Sequence, residues 1–461
     1  MAAKTREKLR FKRTRKYGYA VELVRELKKA GHEALLVGGC VRDLLMGRSP
    51  KDFDIATNAR PEQVARLFRR TIPVGAKFGV QIVLKGAYPY EVTTFRTDLP
   101  YKDGRHPEGV VFSTPREDAL RRDFTVNGLF FDPLKQKVID YVDGQVDLEK
   151  RLIRAIGNPD KRFEEDRLRM LRAVRFAAVL DFSIDPDTFR AVRQAAEKIT
   201  EVSLERIRDE LVKLFTGSHP GRGLTLLDES GLLEVVLPEV ARMKGVAQPP
   251  EFHPEGDVFI HTRLLLDKLR APSTILAFGA LLHDVGKPST FRVADRIRFD
   301  GHDQVGAGMA KRICHRLRFS NTETDAIVEV IGDHMRFKDV RQMRLSTLKR
   351  FMALPTFADQ LKLHRVDCLA SHGDLSNWHF LKKKLKELPA REIKPRPLIN
   401  GDDLLRMGYP QGPLIGTILR VVEERQLEKE LRAKAEALAW VEREFPDRSA
   451  AGPAGRSGRQ K

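Results

Sequence analysis

The chain has 461 residues, enough for two to four domains, and its 41% hydrophobic content supports packed cores. Its 83 basic against 64 acidic residues give a net charge of +19, which points to a polyanionic partner; no apolar run reaches spanning length, so no membrane partner is expected. Three widely separated cysteines, Cys40, Cys314 and Cys368, exclude a disulfide framework and a zinc-finger pattern, and the basic start lacks the apolar segment of a signal peptide, so a cytoplasmic protein is expected.

Residues 1–17 carry eight basic residues against one acid. They read as a basic disordered arm, either touching RNA phosphates or serving as a solubilising tail. Val21, Leu23, Val24 and Leu27 predict an amphipathic helix over 18–30. A strand follows at 34–37. Gly38-Gly39 then lets the backbone turn close to a ligand. The helix predicted from Val41 offers free backbone N–H groups beside Arg42, which suits a triphosphate. A second strand is expected over 51–55, with Asp52 and Asp54 on one face and Phe53 facing the core. Paired anions require a cation, and hard oxygen ligands suit Mg²⁺ held together with substrate phosphates. A phosphate turn feeding paired aspartates is an arrangement for two-metal nucleotidyl transfer.

Pro61 opens a helix over 62–69, and strands are expected at 80–84 and 90–95. Glu91 reads as an ordinary strand-surface glutamate rather than a third carboxylate. Residues 96–114 mix charges, Gly and Pro and read as a mobile functional loop. Arg122, Asp123 and Asn127 sit on a helix or turn edge. One continuous helix is expected over 163–180. It sets Asp166, Arg169 and Arg172 on neighbouring positions and turns Arg175 away toward phosphate or RNA. Residues 182–240 read as packed helices. Between 252 and 372 stand His261, His283, Asp284, His302, His334 and Asp367. A charged helical tail follows to 445, and 446–461 reads as disordered.

The run from Gly38 to Asp54 resembles the bacterial tRNA nucleotidyltransferase and poly(A) polymerase family, and the likeness extends over about residues 20–445. It implies an α+β fold: a polymerase-β-like nucleotidyltransferase head with a mixed sheet, then an all-α neck, an HD domain and a helical tail. The expected division is head 18–150, neck 151–215, helical linker 216–250, HD domain 251–372 and tRNA-binding tail 373–445. The activity implied is addition of CCA to tRNA 3′ ends from CTP and ATP, by a monomer or homodimer. Asp52 and Asp54 would hold Mg²⁺, and Gly39, Arg42 and Arg122 the triphosphate, with Asp123 and Asn127 resembling the family's sugar and phosphate neighbours. Glu165-Asp166-Arg167-Leu168-Arg169 matches the motif by which the family selects bases. Cytosine and adenine each show an amino group beside an unprotonated ring nitrogen. A carboxylate accepts and a guanidinium donates, so Asp166 and Arg169 match both bases and leave unpaired groups against uracil or guanine. Arg172 and Arg175 would assist. At 143–144 the family usually has a Gly-Gly pair, and Asp143 stands in place of its first member.

The His283-Asp284 run after an apolar helix resembles the HD phosphohydrolases. The ligands implied are His261, His283, Asp284 and Asp367, with His302 and His334 as the extra histidines of two-metal members. Such a donor set suits Ni²⁺ or Mn²⁺ and the hydrolysis of a phosphoester. Three rivals stand beside CCA addition. One is an A-adding specialist, whose template residues look alike; the full-length 96–114 loop favours an enzyme able to add the terminal A and does not separate the two. Another is a poly(A) polymerase, disfavoured because 75–78 carries one basic residue where such enzymes have a pair. The last is an HD phosphohydrolase whose head only binds RNA.

Overall fold

A computed structural model describes residues 14–74, 79–98, 109–251 and 253–446. The disordered stretches expected at the two ends lie largely outside these residues, as do 75–78 and the centre of the 96–114 loop. Helix α1 (Arg15–Lys29) starts earlier than expected and takes in the last three residues of the basic arm. The Thr14 hydroxyl caps it by accepting the Tyr17 N–H, and Leu23, Val24 and Leu27 bury its apolar face.

The strands are β1 (Ala34–Val37), β2 (Asp54–Thr57), β3 (Thr71–Pro73), β4 (Val80–Lys85), β5 (Tyr88–Thr94), β6 (Arg96–Asp98), β7 (Val110–Phe112), β8 (Leu129–Asp132) and β9 (Lys137–Asp140). Seven of them form one mixed sheet in the order β3-β4-β5-β2-β1-β8-β9. The β2–β5 pair is parallel and the other neighbours are antiparallel. β1 is buried on both faces. One face packs on α1 through Leu36, Ile55 and Val92, and the other covers Val37, Phe95 and Phe130. Between β1 and β2 lies α2 (Gly39–Leu45), and α3 (Pro61–Leu67) follows β2.

Several expectations change here. The second strand begins only at Asp54, so Asp52 and Phe53 precede it, although Phe53 is buried as expected. The ends of the expected 96–114 loop are ordered: β6 and β7 pair antiparallel, and Thr114 caps α4 (Pro115–Leu120). The single helix expected over 163–180 is two, α6 (Pro159–Glu165) and α7 (Leu168–Leu180). Asp166 sits at the break with φ −147° and ψ 105°, and its carboxylate accepts the Leu168 N–H at 3.1 Å. A short acidic side chain competes for backbone donors in this way and begins a new helix rather than continuing the old one. Helix α5 (Gly144–Glu149) follows Asp143, which adopts the left-handed conformation with φ 59°.

Beyond the head the chain is almost entirely helical and includes α8 (Pro186–Ala195) and α9 (Leu204–Phe215). One apolar core runs without interruption from Phe124 and α7, through Leu211 and Phe215, to Phe278, Ile331 and Val366. Two smaller cores lie C-terminal to it, one around Phe337, Phe351 and Leu381, the other around Ile399, Ile418 and Trp440. Among the described residues no helix is long and apolar enough to cross a membrane.

Candidate functional sites

The phosphate turn depends on Gly38 more than on Gly39. Gly38 has φ 75°, and a Cβ there would meet Arg122 Nη1 at 3.2 Å. The absent side chain lets Arg122 come over the turn, where Asp118 steadies it at 2.9 Å. Gly39 starts α2, and Arg42 projects from the first turn of that helix with 8% exposure.

Asp54 lies at the start of β2 and Asp52 just before it. The Asp52 side chain is 78% exposed and pairs with Lys16 Nζ at 2.7 Å. Lys16, read from sequence as part of the arm, therefore reaches the acid pair. Burial, then the charge of Glu91, push the Asp54 carboxyl up to about 6, with Arg122 and Lys16 pulling the other way. Glu91 is exposed, as expected of a strand-surface residue. It also faces Asp54, because parallel pairing sets Ile55 opposite Val92. Three carboxylates thus gather on and just before the central strands β2 and β5, against two cationic side chains, Lys16 and Arg122.

Beside the phosphate turn stands α7, whose Phe176 ring lies under the Arg42 guanidinium. Asp166 and Arg169 come close in chain but do not pair. Arg169 Nη1 donates to Glu165 at 2.6 Å and to the Arg162 carbonyl at 3.2 Å. Asp166 instead accepts Arg206 Nη2 at 2.9 Å, from α9. Sequence reading placed Arg206 in a structural run, and nothing within that run reveals a partner 40 residues away. Arg172 Nε donates to Asp123 at 2.9 Å and Arg175 Nε to Glu210 at 2.5 Å. The guanidiniums of Arg42, Arg172 and Arg175 lie 5.4, 5.4 and 3.9 Å from the Phe176 ring centre, a cationic collar between head and neck.

The second site lies in the HD segment, where the six residues expected from sequence converge. His261 Nε2 stands 3.0 Å from Asp367, and His283 Nε2 3.1 Å from Asp284 Oδ2. The other oxygen of Asp284 faces His302 Nε2 at 3.5 Å and His334 Nε2 at 4.0 Å. Asp284 thereby bridges two lobes, His261–His283–Asp367 and His302–His334. Each imidazole spends its Nδ1 elsewhere. His283, His302 and His334 donate to the carbonyls of Ala280, Phe299 and Ile331 at 2.9, 2.8 and 2.6 Å, and His261 to Glu255 at 2.6 Å. Those bonds fix the tautomer that leaves Nε2 lone pairs turned inward. The inward Nε2 atoms of His261 and His283 meet only the carboxylates of Asp367 and Asp284, so donor atoms suited to a metal converge in a buried cluster that a divalent cation would satisfy. Burial and the neighbouring His283 push His334 down to about 4, keeping its lone pair free. Sequence reading missed Glu255, whose buried carboxylate orients both His261 and His253, and Lys287, 2.7 Å from Asp284. A cleft of about 370 Å³ opens over the cluster, with Arg296, Arg298 and Lys338 in its lining.

Comparison with known proteins assigns families to the segments that carry both sites. Residues 34–154 match the family described as "Poly A polymerase head domain", 181–244 that described as "Probable RNA and SrmB- binding site of polymerase A", and 257–361 the HD domain. Both catalytic folds work with divalent metals. The chain is similar to the CCA-adding enzyme of Geobacillus kaustophilus, 48% identical over 214 residues, 46% of this chain and 53% of that protein. In structure it resembles the Bacillus stearothermophilus CCA-adding enzyme in complex with CTP, at TM-score 0.74 and 27% identity, covering 94% of this chain and 98% of that one. Against the CCA-adding enzyme of Lactobacillus johnsonii it is 32% identical over 411 residues, 89% of this chain and 92% of that protein. A likeness that runs through head, neck and HD segment alike assigns the chain to the CCA-adding enzyme family.

Proposed function

We propose that this protein adds C, C and A to tRNA 3′ ends from CTP and ATP, with Asp52 and Asp54 as the Mg²⁺ ligands. The observation that carries this reading is the gathering of Asp52, Asp54 and Glu91 with Arg122, whose guanidinium also overhangs the Gly38 turn. Oxygen donors in excess of their cationic neighbours suit a hard divalent ion. When bound by Asp52 and Asp54, Mg²⁺ would lower the pKa of the tRNA 3′-hydroxyl and stabilise the leaving pyrophosphate. Arg42, Arg122 and the α2 amides from Gly39 onward take the triphosphate. Asp166 accepts the amino hydrogen of cytosine or adenine, Arg169 donates to the ring nitrogen, and Arg172 and Arg175 keep α7 cationic. The neck over 151–215 presents these groups, and the tail over 373–445 holds the tRNA.

Transcripts ending before CCA, after CC and after CCA, each supplied with every NTP alone and in mixture, test the reading. Stepwise C, C, A addition that then stops is expected. Long A tails on any RNA end, or A addition only, would overturn it. Asp52→Ala should lower transfer by at least about 10³-fold while tRNA binding persists.

The HD site is a second catalytic centre in this proposal. Its support is the convergence of imidazole and carboxylate donor atoms around Asp284. His261, His283, Asp284 and Asp367 hold one Ni²⁺ or Mn²⁺ ion, and His302 and His334 a second. Bound there, such an ion would supply an activated water for attack on a phosphoester. The basic lining of the cleft attracts that anion.

A further inference from the structure

We propose that Asp123 is a positioning residue that holds the triphosphate grip and the base-selecting wall at one fixed separation, and so sets nucleotide discrimination without touching the nucleotide. The inference rests on the nucleotide site described under Proposed function.

Asp123 is 9% exposed. Its Oδ1 accepts the Phe124 N–H at 2.8 Å and Asn127 Nδ2 at 3.1 Å, and its Oδ2 accepts Arg172 Nε at 2.9 Å. A carboxylate this committed has little left for a ribose hydroxyl. On the far side, Asn127 Oδ1 accepts Arg42 Nη1 at 2.7 Å. Arginine only donates and aspartate only accepts, so the Asn127 amide has a single satisfactory orientation. The result is a chain of four side chains, Arg42–Asn127–Asp123–Arg172, the first three buried, running from the phosphate turn of the head to α7 of the neck. Arg42 and Arg172 also share the Phe176 ring, each 5.4 Å from its centre. Despite burial, the Arg172 charge holds the Asp123 carboxyl down near 2, so the chain stays ionised at any working pH.

The physical consequence concerns selectivity. A nucleotide bound at both ends spans from Arg42 to Asp166 and Arg169. A wrong base is rejected because its donors and acceptors cannot reach partners at that span. If the two ends move independently, a mispaired base can shift and recover part of its lost bonding, and discrimination falls.

The test uses the full-length protein and a tRNA ending before CCA, with kcat and KM measured for CTP, dCTP and UTP. Asn127→Ala breaks the chain on the head side. It should raise KM for CTP about tenfold, change kcat less than about threefold, and lower the CTP-over-UTP preference about tenfold. Asp123→Asn breaks it at the centre, because an amide cannot accept from all three donors. It should leave the CTP-over-dCTP ratio unchanged, and Asp123→Asn with Asn127→Ala should be no worse than the more damaging single variant. An unaltered CTP-over-UTP preference in Asn127→Ala, a CTP-over-dCTP ratio that collapses in Asp123→Asn, or losses that multiply in the double variant would each overturn the proposal. If Asp123→Asn does not fold, Asn127→Ala alone decides. Failure of the unmodified protein to extend this tRNA would instead overturn the underlying nucleotide site, a separate outcome.

Discussion

At the scale of single residues, the acid pair is asymmetric. Asp52 is held in solvent by Lys16, whereas Asp54 is partly buried and its carboxyl is raised from 3.8 to about 6. A carboxyl raised on folding binds its proton more tightly in the native state. Its contribution to stability is therefore present below about 3.8 and lost as pH rises through about 6. In metal-free protein, Asp54→Asn should gain Tm relative to the unmodified chain as pH climbs from about 4 to about 6, and then hold a constant advantage. Addition of Mg²⁺ at pH 7 should remove that advantage by stabilising only the unmodified chain. A constant Tm difference across the whole range would show that Asp54 titrates normally. Glu91 illustrates the limit of reading one residue at a time. Its strand position was legible, but its effect on Asp54 comes from a parallel pairing that no local pattern specifies.

At the scale of elements, breaks matter more than runs. The 163–180 segment has helical periodicity, yet Asp166 turns the chain out and starts α7 afresh. That break aims Asp166 at Arg206 and leaves Arg169 to Glu165. The link after β9 behaves in the opposite way, because its geometry survives a change of residue. Asp143 takes the left-handed conformation expected of glycine, at a cost that Asp bears better than branched residues. Gly144 has no such latitude, since a Cβ there would lie 2.2 Å from the Thr125 carbonyl oxygen. Gly144→Ala should therefore lower unfolding free energy by about 3 kcal/mol, and Asp143→Gly by less than about 0.5 kcal/mol, in urea titrations. Equal effects would mean that the link yields to accommodate the added methyl.

At the scale of the whole molecule, two candidate sites share a frame. The core that carries α7 continues into the helices bearing His261, His283 and Asp367. The acid pair of the head stands on a separate core. Removing an inward imidazole should therefore leave transfer intact. His283→Ala should abolish Ni²⁺- or Mn²⁺-stimulated phosphate release from a 2′,3′-cyclic nucleotide and weaken metal binding by calorimetry, while tRNA extension stays within about twofold. No metal-stimulated release from the unmodified protein would remove the hydrolase from the proposal.

By itself the sequence determined the groups whose chemistry depends on near neighbours. The turn from Gly38 to Arg42, the Asp52–Asp54 spacing, the His283-Asp284 pair and the helical periodicities all act over a few residues, where steric preference and hydrogen-bond reach are local. Tertiary structure decided who pairs with whom. Arg206 meets Asp166 across 40 residues and Arg172 meets Asp123 across 49, and the two lobes around Asp284 draw on helices spread from 258 to 370. Those meetings follow from which apolar faces pack together, and an isolated charge carries no mark of the partner that packing will bring to it.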